Sequence, residues 1–207
     1  SGWLQGETVR LVLTITNGTA NPLQPICDSP ASMIRRVRLI CNGSAIVEDI
    51  EEYSRVHEMF SQLLPSDRRY NDIRESFFWG GATANPASLE QPFIADAIPA
   101  GGSRTVVVHL LSSFLSQGKN IPLNMVPLVL ELELDDFDRA FAGAGNTWNV
   151  KRPRLIADVL TLDIALHNSY AKHILDGRSL HFMMHGWYSL LRVRANIRCQ
   201  STEGLAS

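Results

Sequence analysis

Residues 119–141 read KNIPLNMVPLVLELELDDFDRAF, and this stretch decides the fold class. It opens on Ile121-Pro122-Leu123. The ring of Pro122 fixes its φ and disfavours helix at the preceding residue, which keeps the chain extended. The pattern then alternates: Val126, Leu128, Leu130, Leu132 and Leu134 point one way, and Val129, Glu131 and Glu133 the other. A period of two with one apolar side is a strand lying on a core. An acidic turn, Asp135-Asp136-Phe137-Asp138, closes it, and the loose run Ala142-Gly143-Ala144-Gly145-Asn146 follows. The strand is expected to end one β-module and the loop to lead into a second, which divides the chain into residues 1–142 and 146–207.

Working outward, the chain has 207 residues, 45 % of them hydrophobic, enough for a full domain with a real core. A net charge of −2 gives no bulk attraction to nucleic acid or to a membrane surface. Cys27, Cys41 and Cys199 are odd in number and lack a CxxC spacing. That argues against a zinc site and a disulfide framework, and fits a reducing compartment. No stretch reaches membrane-spanning length, and the N-terminus lacks the charged and apolar regions of a signal peptide. Ser1 is not an initiator Met, so the chain is expected to be an excised piece.

In chain order, residues 7–17 alternate as a strand, with Val9, Leu11, Leu13 and Ile15 on one face and a turn at Asn17-Gly18. Residues 33–41 form a second strand, and Asn42-Gly43 turns it into a short return, a hairpin. Residues 48–64 predict a helix: Ile50, Tyr53, Val56, Phe60, Leu63 and Leu64 recur at spacings of three and four. Glu48, Asp49, Glu51 and Glu52 load its first turn with the negative charge that the helix dipole favours. Residues 66–92 read as a long surface loop carrying Phe77, Phe78 and Trp79. Residues 103–111 are a strand around Val106-Val107-Val108, and residues 112–117 one helical turn. Past the Gly/Ala loop, residues 147–150 and 155–162 read as strands, 163–175 as a helix with Gly177 beyond its end, and 179–184 as a strand. Residues 187–199 alternate Leu191, Val193, Ala195, Ile197 and Cys199 against Arg192, Arg194, Asn196 and Arg198. Short strands, turn signals and one or two short helices suggest a mainly β chain, a β-sandwich of the jelly-roll or Greek-key kind.

Chemistry-bearing patterns are sparse. His181 and His185 stand four apart, but on a strand and turn rather than a helix, and without an HExxH context. No metal and no cofactor is expected. Glu131 and Glu133 could serve a glycosidase, yet a solvated face or an inter-subunit contact is the plainer reading. Ser112, Ser113 and Ser116 lack a GxSxG setting, and Gly101-Gly102 is no P-loop, so no catalytic residue is assigned. Arginines cluster instead: Arg35, Arg36 and Arg38; Arg152 and Arg154; Arg192, Arg194 and Arg198. They could meet phosphates, but the overall charge favours acidic faces on neighbouring subunits. The sequons at Asn17 and Asn42 read as turns.

The run Arg38-Leu39-Ile40-Cys41-Asn42-Gly43-Ser44, then Val47-Glu48-Asp49-Ile50 and Tyr53-Ser54-Arg55-Val56-His57, resembles the first jelly roll of double jelly-roll major capsid proteins of eukaryotic double-stranded DNA viruses. The polinton-like, virophage and nucleocytoplasmic large DNA virus lineage is the nearest in look. Residues 121–134 resemble the closing strand of that roll, and Trp148-Asn149-Val150 with residues 158–163, Tyr170 and Leu175 the opening of the second. The resemblance implies a homotrimeric capsomer of pseudo-hexagonal outline that tiles an icosahedral shell, with neighbouring capsomers and minor or penton capsid proteins as partners. It implies a location in the virion and no catalytic residues. Residues 146–207 are too few for a complete second roll, so that roll is expected to be incomplete. The expected subunit contacts are Phe77, Phe78 and Trp79, and the acidic run at Asp135 and Asp136 with Arg192, Arg194 and Arg198. The rival reading is a carbohydrate-binding β-sandwich with Trp79, Trp148 or Trp187 as a stacking platform.

Overall fold

The computed structural model describes residues 2–27, 29–65, 97–142, 147–182 and 184. The strands are β1 (Trp3–Gln5), β2 (Arg10–Asn17), β3 (Gln24–Pro25), β4 (Ile34–Cys41), β5 (Ala45–Glu51), β6 (Ser103–His109), β7 (Asn120–Pro122), β8 (Leu128–Leu134), β9 (Phe141–Ala142), β10 (Trp148–Ile156) and β11 (Val159–Leu160). The helices are α1 (Tyr53–Gln62), α2 (Phe137–Ala140) and α3 (Ile164–Leu175), with a short 3-10 turn at Gly6–Thr8. The chain is mainly β, as its alternating segments predict. The sheets run β10-β2-β6, β5-β4-β8, β11-β1-β7 and β3-β9. All their strand pairs are antiparallel.

The core follows from the period of two. Leu11, Leu13 and Ile15 of β2 and Val106 and Val108 of β6 turn inward from one sheet, and Val37 and Ile50 from another. Tyr53, Phe141 and Trp148 fill the space between them. A second cluster gathers Val9, Leu39, Cys41, Phe114, Leu115 and Ile121. The Asn42-Gly43 hairpin forms as expected, with φ of 51° and 78°, the positive values that such a turn requires. Asn17 is a buried corner: its amide donates to the carbonyls of Asn21, Ile98 and Pro99, and its Oδ1 accepts from Thr19. Asp163 caps α3 through the Ala165 N–H, and Gly177 follows the helix at φ 76°.

Four expectations need correcting. The long strand over 119–141 is two strands in different sheets, β7 beside β1 and β8 beside β4. Pro122 and Pro127 cannot donate to a ladder, and between them the N–H groups of Met125 and Val126 turn back to Pro122 O at 3.0 and 2.9 Å. The helix expected from Glu48 starts only at Tyr53, because residues 48–51 are the end of β5, paired with β4. The stripe at three- and four-residue spacing admits both readings up to Ile50, and cross-strand pairing decides. Third, the strand breaks expected around Arg152-Pro153 are a bulge inside one strand, β10, with Arg152 at φ 52°. Proline is tolerated at such a bulge because the ladder is already interrupted there. Fourth, residues 179–182 form no strand.

A further bulge explains a phase change in β4. Between Ile34 and Arg36 the register against β8 slips by one residue. Arg35 is the extra residue, so Ile34 and Val37 both face the core although their parity differs.

The described part of 146–207 docks strand by strand on the N-terminal elements. β10 runs along β2 from Trp148↔Asn17 to Ile156↔Arg10, and β11 pairs with β1. Tyr170 of α3 packs on Trp3 with ring centroids 4.8 Å apart.

Candidate contact surfaces

The outer face of the β5-β4-β8 sheet carries a ladder of opposite charges. Side chains alternate across a strand, so Arg36 and Arg38 point outward from β4 while Val37 and Leu39 point in. The register sets Arg36 between Glu51 and Glu133, and Arg38 between Asp49 and Glu131. Arg36 grips Asp49 with two parallel bonds, Nε to Oδ1 at 2.7 Å and Nη2 to Oδ2 at 2.6 Å. Glu51 lies 3.6 Å from the same guanidinium. Arg38 meets Glu131 at 3.3 Å and Arg35 meets Glu133 at 3.4 Å. These arginines and carboxylates were expected to seek neighbouring subunits. They neutralise one another within the chain, because antiparallel pairing brings facing residues within about 5.5 Å and leaves diagonal neighbours, such as Arg36 and Asp49, within reach of a long side chain. Glu131 and Glu133 line a shallow groove of about 370 Å³ with Arg36 and Arg38. Each is held by an arginine rather than poised with a free carboxylate partner.

The ladder has a pH signature. The hydrogen bond from Arg36 holds the Asp49 carboxyl below its ordinary value, against the opposing effect of partial burial. The same bond pushes the Arg36 guanidinium up. A depressed carboxyl contributes stability above the unfolded-state value near ~4 and loses it as pH falls through the folded-state value. Asp49→Asn is therefore expected to make the acid limb of a melting-temperature profile shallower below about pH 4. An unchanged acid limb would show that Asp49 contributes nothing to it.

The acidic turn is a second node. Asp135, expected at a subunit contact, is buried: its Oδ1 accepts the Asp136 N–H at 2.9 Å and lies 3.6 Å from Arg139 Nε. Its own N–H donates to Met33 O, which ties α2 to the start of β4. Arg139 also bonds Glu52, and that bond followed by the nearby Asp135 charge pushes its guanidinium up. Asp136 and Asp138 remain exposed at the tip of α2.

A buried polar knot escaped sequence reading. An extra residue at Val47 shifts β5 so that Glu48 faces inward beside Leu39. Glu48 Oε1 accepts from the Ser113 N–H at 2.8 Å and the Ser113 hydroxyl at 2.7 Å, while Oε2 accepts from the Ser112 hydroxyl. Next to it the Tyr53 hydroxyl accepts the Leu111 N–H at 2.6 Å, and burial pushes its phenol up. The only sequence signal was that Glu48 shares the parity of Ile50. The run of acids around it masked that signal.

Exposed apolar side chains occur on several elements. Leu155 and Ile156 of β10 are each 54 % exposed, and Val159 and Leu160 of β11 and Ile164 and Leu166 of α3 are exposed after them along the chain. A cleft of about 510 Å³ opens between β1, β7 and α3, walled by Trp3, Leu166, Tyr170 and Phe182. Trp148, a stacking platform in the carbohydrate reading, is buried against Phe137 and Phe141 and offers no open face. Phe77, Phe78, Trp79, Arg192, Arg194 and Arg198, together with Trp187, lie outside the described residues. Among the described residues no cluster of His, Cys, Asp and Glu is arranged to hold a metal, and no helix is long and apolar enough to cross a membrane. No protein-family profile matches this chain, and no curated protein matches it.

Proposed function

We propose that this chain is a structural building block of a viral capsid, a β-sandwich of jelly-roll kind that associates with copies of itself as a homotrimer within an icosahedral shell. The observation that carries this reading is the distribution of surface chemistry. The charged groups of the β5-β4-β8 face are consumed in internal pairs, whereas Leu155, Ile156, Val159, Leu160, Ile164 and Leu166 follow one another along β10, β11 and α3 as exposed aliphatic side chains. Exposed apolar surface is a candidate for protein contact. The likeness of residues 38–57 and 121–134 to the first roll of double jelly-roll capsid proteins supplies the trimer and the shell. Minor and penton capsid proteins would be further partners, and the virion its location. The role is one of packing: core faces hold each sandwich, and lateral faces associate by burial and charge complementarity.

The test is the absolute mass in solution by light scattering after size exclusion. A discrete species of about three times the 23.0 kDa chain mass is expected. Replacing Leu155 and Ile156 by serine should convert it to monomer without loss of fold. A monomer at every concentration would overturn the reading.

A further inference from the structure

β10 is an edge strand, paired with β2 on one side and with no strand on the other among the described residues. Open edges invite pairing with another chain. Midway along it the bulge between Lys151 and Arg154 interrupts the ladder. Lys151, Arg152 and Arg154 are all exposed. Among the described residues none of the three lies within salt-bridge reach of a carboxylate. The bulge is thus a cationic knuckle, and Leu155 and Ile156 follow it directly.

The tip of α2 is its complement. Asp136 and Asp138 are exposed, and Phe137 between them is 46 % exposed beside Leu134 at 44 %. Among the described residues, Glu52, Asp135, Asp136 and Asp138 around this tip stand against two guanidiniums, Arg55 and Arg139, an excess of negative charge. Phe137 touches Trp148 at the start of β10, with ring centroids 6.0 Å apart. The knuckle begins three residues further along that strand, about 10 Å away at the usual rise. Among the described residues no ion pair joins the two patches.

We infer that the acidic tip of α2 in one copy docks on the cationic bulge of β10 in a second copy. Phe137 packs on Ile156, which shares one face of β10 with Lys151 and Arg154, while Asp136 and Asp138 meet those two cations. The inference rests on the self-association proposed above and names the surfaces that carry it. Two different patches that fit each other across copies make a directional contact, which closes into a ring where the rotation allows. Charge complementarity sets its register, and the aromatic anchor between the acids supplies apolar burial at its centre.

The test is charge reversal read by solution mass. Asp136→Lys with Asp138→Lys, and separately Lys151→Glu with Arg154→Glu, should each weaken association at least tenfold. The chain carrying all four changes should recover the wild-type mass. Arg152 is left alone because of its positive φ, and unchanged melting temperatures check the fold. Should the α2 pair perturb Arg139, Asp138→Lys alone serves in its place. If either half-variant keeps the wild-type oligomer, this interface is wrong while self-association stands. Failure of the fourfold variant to recover would equally overturn it. A monomeric wild type would remove both the inference and the reading beneath it.

Discussion

Glu48→Leu is expected to destabilise the fold by about 3 kcal/mol, as one mutation-sized step for each of the three donors it strands. Leucine keeps the bulk but accepts nothing, so the buried Ser112 hydroxyl and the N–H and hydroxyl of the half-buried Ser113 all lose their partner. For a chain of this size that loss should lower the melting temperature by about 6–12 °C. The magnitude separates two placements of the residue. An acid in the exposed first turn of a helix contributes only about 0.3–1 kcal/mol. A carboxyl pinning the segment after β6 to the inner face of β5 contributes several times more. Urea denaturation of the two proteins decides, and a change below about 1 kcal/mol would mean that the knot is not stabilising. Glu48→Gln keeps one acceptor but turns an amide N–H toward the serine donors, and should fall in between.

Trp148→Ala is expected to cost about 3–5 kcal/mol, and to do so in a single cooperative transition. The indole is 7 % exposed and wedged between Phe137 and Phe141, with ring centroids at 6.0 and 5.5 Å. Its strand continues the sheet of β2, so removing the ring opens a cavity in the main core rather than in a module of its own. Calorimetry should show the main peak moving to lower temperature. Two peaks, with the larger one unmoved, would mean that the elements after the Gly/Ala loop unfold by themselves and that their contact with β2 contributes little.

Most strands were legible from their alternation. Residues 10–17, 103–109 and 128–132 each show an apolar face in the sequence that turns inward, and in residues 34–41 that face runs from Val37 onward, past the bulge at Arg35. Turns that demand special backbone were legible too: Asn42-Gly43 needs positive φ, and Gly177 ends α3 with one. The helix at 164–175 could be read from its cap residue Asp163 and its terminal glycine together. The start of α1 could not. Ile50 and Tyr53, three apart, share a helix face, yet Ile50 ends in β5 and Tyr53 opens α1, and both reach the same core. Nothing within residues 45–53 says which applies. The insertion of one residue at Val47, seen only against β4, puts Glu48 inside and Asp49 and Glu51 outside.

The candidate contacts divide along the same line. The sequence could show that arginines and carboxylates cluster. It could not show that they cluster opposite each other, since register is a property of two strands and not of either one. Hence Arg36 and Asp49, thirteen residues apart, form the tightest ion pair of the β4 ladder. Asp135, whose charge suggested a surface role, is buried instead under Arg139 and Glu52.

By itself, then, the sequence determined the period of each segment, the faces that would seek a core and the turns that need glycine or asparagine, because these depend on neighbours along the chain. Only the tertiary structure decided which strands lie side by side, which charges cancel, that β10 pairs along β2, and that Leu155, Ile156, Val159, Leu160, Ile164 and Leu166 stay exposed. Those outcomes depend on residues far apart in the chain meeting in one register, and a one-residue bulge at Val47, Arg35 or Arg152-Pro153 is enough to change them.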